Sequence, residues 1–252
     1  VITTKERDMG RLQGKTAVIT GGGSGIGFGA AKRFIEEGAF VYIFGRRQET
    51  LDAAVAQLGS SAQAVQGSVT DLSDLDRLYE KVKNERGGLD ILLANAGTGA
   101  FAPLGEITPE HYDQIFDLNV KGTVFTVQKA LPLMTAGASI ILTGSSTGVM
   151  GTPAFSIYSA TKAAVRNLAR SWALDLRGTG IRVNVMSPGP ITTELALEVL
   201  GDEGMNAIGA TTVLGRMGEP SETGGVAAFL ASSDSSFMTG GEVFVDGGLA
   251  QV

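Results

Sequence analysis

Along the chain, short apolar runs rich in β-branched residues alternate with longer stretches in which apolar residues return every three or four positions. The first run is TAVIT (16–20), a helical pattern follows at about 25–37, and AFVYIF (39–44) comes next. Strand, helix and strand of these lengths predict a parallel βαβ unit, because parallel strands need a crossover. The pattern continues with a helix at about 48–58, a weaker strand AQAVQ (62–66), a helix at about 72–86 and a strand DILLAN (90–95). Helices at about 108–118 and 120–135 precede strand SIILTG (139–144), helix 156–177 and strand RVNVMS (182–187). An irregular helical segment near 192–210, a helix at 220–231 and strand EVFVD (242–246) complete the order. This alternation predicts an α/β fold, a doubly wound parallel sheet of seven strands with helices on both faces. No repeat or proline-rich linker divides it, so residues 9–252 are expected to form a single domain. Residues 1–8 (VITTKERD) are polar and read as a flexible leader or an artificial remnant without fold information.

The 252 residues, 43% hydrophobic and 18% charged, hold enough apolar material for one sizeable core. Cysteine is absent, which removes disulfides, thiolate nucleophiles and cysteine-ligated zinc and points to a cytoplasmic enzyme. The single histidine, His111 in EHYDQIF, reads as a surface or half-buried helix residue rather than a hydrolase base, and no metal site is expected. A net charge of −6 argues against a nucleic-acid partner, which would require many cations on phosphates. From Ala130 to Thr161 no residue carries a formal charge, which raises the question of a membrane span. Pro132, Gly137, Gly144, Gly148, Gly151 and Pro153 break that stretch into a buried strand and a neutral loop, and no membrane partner is expected.

Strand 16–20 runs directly into TGGGSGIG, in which Gly21, Gly25 and Gly27 follow the spacing GxxxGxG ahead of a helix. Glycines allow a tight turn and close backbone approach, and a helix N-terminus offers free N–H groups to a diphosphate. A dinucleotide site is the functional reading; a loop that only packs helix on strand is the bland one. The generic GxGxxG register, at Gly25, Gly27 and Ala30, falls inside the helix rather than at the turn. After the second strand, FGRRQE places Gly45 where an acid would hold the ribose hydroxyls, followed by Arg46 and Arg47. A guanidinium pairs with a 2′-phosphate that a carboxylate would repel, so NADP(H) is favoured over NAD(H), unless both arginines are simply solvated. Further on, Tyr158 and Lys162 stand four apart in YSATK and share a helix face. A cation beside a phenol is expected to lower its pKa from about 10. Ser145 lies thirteen residues before the tyrosine in a run ending GSST, with Ser146 as its rival.

Together TGGGSGIG, NAG at Asn95 to Gly97, Asn119 in NVKG, Ser145, Tyr158, Lys162 and PGPITT at 188–193 resemble the short-chain dehydrogenase/reductase family, in its compact branch. The resemblance implies a Rossmann-type dinucleotide-binding catalytic domain with Asn119, Ser145, Tyr158 and Lys162 as a catalytic tetrad. It places Gly21, Gly23, Ser24, Gly25, Ile26, Gly27, Asn95, Gly97, Tyr158, Lys162, Pro188, Gly189, Ile191 and Thr193 at the cofactor. Ser68 and Val69 stand where many members have an aspartate and a valine against the adenine, Ala94 replaces the first asparagine of NNAG, and Ser24 replaces a basic residue of some NADP-dependent relatives. Ser145 would bind the carbonyl oxygen, Tyr158 would protonate it, Lys162 would lower the tyrosine pKa and hold the nicotinamide ribose, and Asn119 would keep a water. The resemblance also implies a homotetramer assembled through the helices at about 108–135 and 156–177.

Following PGPITT, a segment at about 190–215 mixes Leu, Val, Met and Ile with glycines, as a mobile apolar lid would. Phe101, Ser146, Pro153, Phe155, Leu195 and Met205 are candidate walls of a substrate pocket. Trp172 and Val165 share the face of the Tyr158–Lys162 pair and read as core or subunit-interface residues. An apolar pocket suits reduction of a ketone or 3-oxo compound to the secondary alcohol with NADPH. An NAD(P)-dependent polyol or sugar dehydrogenase is the alternative, and a non-catalytic nucleotide-sensing module is the second.

Overall fold

The computed structural model describes residues 10–252, so the expected leader at 1–8 lies outside the described residues. In chain order the elements are β1 (Thr16–Thr20), α1 (Gly25–Glu36), β2 (Phe40–Gly45), α2 (Gln48–Leu58), β3 (Ala62–Gln66), α3 (Leu72–Arg86) and β4 (Ile91–Ala94). Then come α4 (Pro109–Phe116), α5 (Gly122–Ala130), β5 (Ser139–Thr143), α6 (Ser156–Asp175), β6 (Arg182–Pro188), α7 (Glu194–Gly209), α8 (Pro220–Ala231) and β7 (Glu242–Val245). The seven strands form one parallel sheet in the order β3-β2-β1-β4-β5-β6-β7.

Successive strand residues point to opposite faces, and the sheet is apolar on both. Val18, Leu92, Ile140 and Leu142 pack under α3, α5 and α6 with Leu75, Leu78, Val127 and Val165, and Trp172 leans on the same layer. Ala17, Ile19, Leu93 and Ile141 face the other way, against Ala30 and Phe34 of α1, Leu51 of α2 and Leu230 of α8. Each such large side chain taken out of water contributes about 1.5–3 kcal/mol, which is why the central strands have no polar alternation. On the second face α1 and α8 approach at a glycine contact. A Cβ on Gly29 would lie 2.5 Å from the Pro220 carbonyl oxygen, and one on Gly224 would lie 2.7 Å from that of Gly29.

Local chemistry sets the helix limits. Asp71 caps α3 by accepting the Ser73 N–H, and Gly87 ends it in the left-handed region. Pro220 at the first turn and the reciprocal Glu219–Glu222 capping box start α8. The helices expected at 108–118 and 120–135 are instead one continuous rod, in which a π-helical turn, Asp117–Lys121, joins α4 to α5. The rod leaves α-helical form at Ala130, one residue before the three-residue 3₁₀ turn Leu131–Leu133, because Pro132 has no N–H to continue the ladder. The irregular segment at 192–210 is α7, kinked at Gly201 (φ 64°, ψ 174°). Strand order reverses between β1 and β4, and a parallel sheet opens a crevice at such a switch point beyond the carboxyl ends of its strands.

Candidate active site

Asn95 closes the bottom of that crevice. Its amide donates to the carbonyls of Thr20 and Gly21 at 3.2 and 3.3 Å, and its Oδ1 accepts from Thr143 Oγ1 at 3.2 Å. Thr20 Oγ1 in turn accepts the N–H groups of Asn95 and Ala96. One side chain thus ties the tips of β1, β4 and β5, and the support missing at Ala94 is supplied by its neighbour.

Above this staple lies a cleft of about 500 Å³. Gly21, Gly23, Ser24, Gly25, Ile26, Arg46, Arg47, Ser68, Val69, Asn95, Gly97, Tyr158, Lys162, Thr193 and Leu195 line it, as the sequence led us to expect. Gly27 stands behind: a Cβ there would lie 2.2 Å from the Gly21 carbonyl oxygen, so the turn closes only over a glycine. Gly25 has φ +52° and its α-hydrogen faces Thr193, which caps α7 through the Ala196 N–H. Helix α7 therefore begins against the glycine turn. At α1 the Ser24 side chain makes no capping bond and no acid stands in the first turn, so the first amides remain available to an anion. These features fit the diphosphate of a dinucleotide.

Five residues expected in the cofactor shell have other engagements. Pro188, Gly189 and Ile191 do not line the cleft. Pro188 and Gly189 hold the end of β6 to β7, with the Gly189 N–H donating to Val245, while buried Ile191 bridges to Gly218. Ser68 faces the cleft, but its hydroxyl is paired with Thr70 Oγ1 at 2.8 Å. Arg47 is not free: its guanidinium stands 3.8 Å from the carboxylate of Glu194, at the start of α7, with both side chains about 70% exposed. Glu194 and Glu198 line the cleft opposite Arg46 and Arg47. Glu194 was missed by sequence reasoning, although an acid directly after the capping Thr193 is an ordinary helix-start signal.

The tetrad positions converge from three elements. Lys162 is 5% exposed and donates to the Thr143 carbonyl at 2.9 Å, below the Tyr158 ring, with its nitrogen 5.5 Å from the ring centroid. Asn119, in the π-helical turn, is 1% exposed. Its Oδ1 accepts the Thr98 N–H at 2.8 Å, and its amide donates to the Thr98 carbonyl and to Thr161 Oγ1 at 2.9 and 3.0 Å. The side chain thus pins the loop after β4 to α6. Ser145 is buried at the end of β5 and caps the 3₁₀ turn Ser146–Gly148.

Burial pushes the Tyr158 phenol above its usual 10, with the Ser145 hydroxyl pulling the other way. Burial also lowers the pKa of the Lys162 ammonium, to about 8.

Of the candidate substrate residues, only Leu195 lines the cleft. Phe155 stacks on Tyr158 with centroids 4.4 Å apart, and Phe101 packs on Phe155 at 4.5 Å. Ala154, at φ +57° a left-handed non-glycine residue, turns the chain into this stack and accepts the Ala102 N–H at 2.7 Å. Ser146, Pro153 and Met205 do not line the cleft.

A family model described as enoyl-(acyl carrier protein) reductase matches residues 21–250. The chain is 67% identical to oxidoreductase asL5 of Sarocladium schorii over 244 residues, 96% of this chain and 98% of that protein. It is 38% identical to sorbitol dehydrogenase of Cereibacter sphaeroides over 251 residues, 94% of this chain and 98% of that protein. A solved structure of a "short chain dehydrogenase/reductase family protein" matches with a TM-score of 0.86 at 38% identity, over 96% of this chain and 100% of that one.

Proposed function

The chain belongs to the short-chain dehydrogenase/reductase family, oxidoreductases of alcohol and carbonyl groups that use nicotinamide cofactors, and on that premise we propose that it reduces a ketone or 3-oxo compound with NADPH. The observation that carries this reading is that Tyr158 and Lys162 line the same cleft as the glycine turn and the uncapped start of α1. A bound nicotinamide supplies the hydride that reduces the carbonyl carbon. Ser145 Oγ donates a hydrogen bond to the carbonyl oxygen, and Tyr158 donates the proton that oxygen takes up as it gains charge. A phenol held above its usual pKa by burial stays protonated at neutral pH, the state that reduction requires. Lys162 fixes the floor of the site through Thr143 and would hold the nicotinamide ribose. Asn119 keeps the Thr98 loop against α6. Gly21, Gly25 and the first turn of α1 would receive the diphosphate, and Arg46 and Arg47 the 2′-phosphate, with Glu194 as a competitor for Arg47.

The Phe101–Phe155–Tyr158 stack and the exposed lid residues Leu195, Leu197 and Val199 support an apolar substrate. The sorbitol dehydrogenase match favours a second reading, oxidation of a polyol or sugar. Intact Ser145, Tyr158 and Lys162 speak against a pure nucleotide sensor, which has no need of a proton relay. Among the described residues no helix is long and apolar enough to cross a membrane. The proposal includes action in the cytoplasm, in keeping with a cysteine-free chain, as a homotetramer built on α4, α5 and α6.

Following nicotinamide absorbance with NADPH and NADH against ketones, oxoesters and sugars separates these readings. Tyr158→Phe is expected to lower turnover by about 10²–10⁴ while NADPH binding, read by fluorescence, persists. Full turnover in that variant refutes the assignment, and tight cofactor binding without oxidation by any carbonyl favours the sensor.

A further inference from the structure

Ser145 Oγ has one proton to give and two lone pairs that can accept. Both acceptor directions are engaged by a single residue two positions on. The Thr147 N–H reaches Ser145 Oγ at 3.2 Å, and the Thr147 hydroxyl donates to the same oxygen at 3.0 Å. What remains to the serine is its own O–H, and with both lone pairs occupied that group is left as a donor. The turn holding Thr147 is itself fixed. Gly148 N–H closes on the Ser145 carbonyl at 2.9 Å, and Gly148 lies against Lys162, where an added Cβ would come within 3.2 Å of the Lys162 carbonyl carbon. Thr147 is half-buried and does not line the cofactor cleft.

We infer that Thr147 is a positioning residue for the proposed reaction: its hydroxyl saturates Ser145 Oγ so that the serine proton is directed at the phenol and the carbonyl oxygen. The inference rests on the reading of Ser145 and Tyr158 as the carbonyl-activating pair. It agrees with Ser145 acting on Tyr158 in the sense that favours phenolate. The opposite polarity, Ser145 donating to Thr147, would take that proton away from the site, and the two arrangements predict opposite results.

Thr147→Val keeps the shape and the backbone N–H and removes the hydroxyl donor; Thr147→Ser restores it. Two readouts are taken: kcat and KM for carbonyl reduction, and a spectrophotometric phenol titration of the cofactor-free protein, with Tyr158 isolated by difference against Tyr158→Phe. In Thr147→Val, kcat is expected to fall about tenfold and the Tyr158 pKa to rise by about 0.5–1, the effect of one weakened hydrogen bond, with NADPH affinity unchanged. Thr147→Ser should recover both to within about twofold. If Thr147→Val does not fold, as judged by circular dichroism and NADPH binding, Thr147→Ala is measured the same way. Unchanged kcat and titration in the hydroxyl-free variant, a rise in kcat, or equal loss in Thr147→Ser overturns the inference. Absence of carbonyl turnover in the wild type removes the functional reading instead, and the titration still decides on Thr147.

Discussion

Replacing Lys162 with methionine should abolish turnover and yet make the protein more stable at neutral pH. The ammonium is 5% exposed, and burial lowers its pKa from the ordinary 10.5 to about 8. A difference of that size means that holding the charged form in the fold costs about 3 kcal/mol, an order-of-magnitude figure. Methionine keeps the unbranched stem in place and removes the charge. It also leaves the Thr143 carbonyl, which accepts from Lys162 at 2.9 Å, without that partner, a loss of about 1 kcal/mol. The net expectation at pH 7 is a gain of roughly 1–2 kcal/mol, or about 2–6 °C in Tm for a chain of this length. The pH dependence identifies the cause. Between pH 8 and 10.5 the unfolded chain binds the proton that the folded chain has released, so wild-type stability rises with pH across that window. The advantage of Lys162→Met is therefore full below pH 8, shrinks as pH rises and reverses by about 10.5, where only the lost hydrogen bond remains. Thermal or urea unfolding of both proteins at pH 7 and 10.5 measures it. A variant no more stable than wild type at pH 7, or a difference that is flat with pH, refutes the reasoning. Such a lysine is an instance of function maintained against stability.

Gly27→Ala should lose NADPH binding by fluorescence titration and unfold at lower urea concentration, by more than about 2 kcal/mol, because the contact at 2.2 Å is with main-chain oxygen and cannot swing aside. Arg47→Ser should weaken NADPH by about 5–30-fold and leave NADH within about twofold, a range set by one exposed charge-assisted contact; equal loss for both cofactors would move the 2′-phosphate elsewhere. With the Tyr158 phenol held up by burial, carbonyl reduction should persist into alkaline pH while alcohol oxidation, which needs the phenolate, climbs with pH; a pH–rate profile falling for both directions together would contradict this.

The succession of strands and helices and the glycine turn were legible because they are written in short-range pattern: a run such as TAVIT followed by TGGGSGIG fixes backbone geometry within a dozen residues. Tyr158 and Lys162 share a helix face for the same local reason. What the pair does to each other's pKa was not legible, since burial is a property of the packed sheet and not of spacing. The side-chain partners of Asn119 were not legible, because Thr98 and Thr161 come from two other elements. The same holds for Arg47, whose ion-pair partner, Glu194, is separated from it by four strands of sequence. The π-helical turn at Asp117–Lys121 leaves no periodic signature strong enough to separate it from the α-helices on either side.

The glycine contact between α1 and α8 bears on synthesis. The helix that would receive the diphosphate is formed from the first forty residues, yet one of its faces rests on Pro220 and Gly224, close to the end of the chain. A nascent polypeptide that has already made β1, α1 and β2 still lacks the surface that seats α1, and the β7 edge arrives later again. The seat of α1 is thus complete only when nearly all of the chain has left the ribosome, and a product truncated before Pro220 is expected to bind nicotinamide nucleotide poorly.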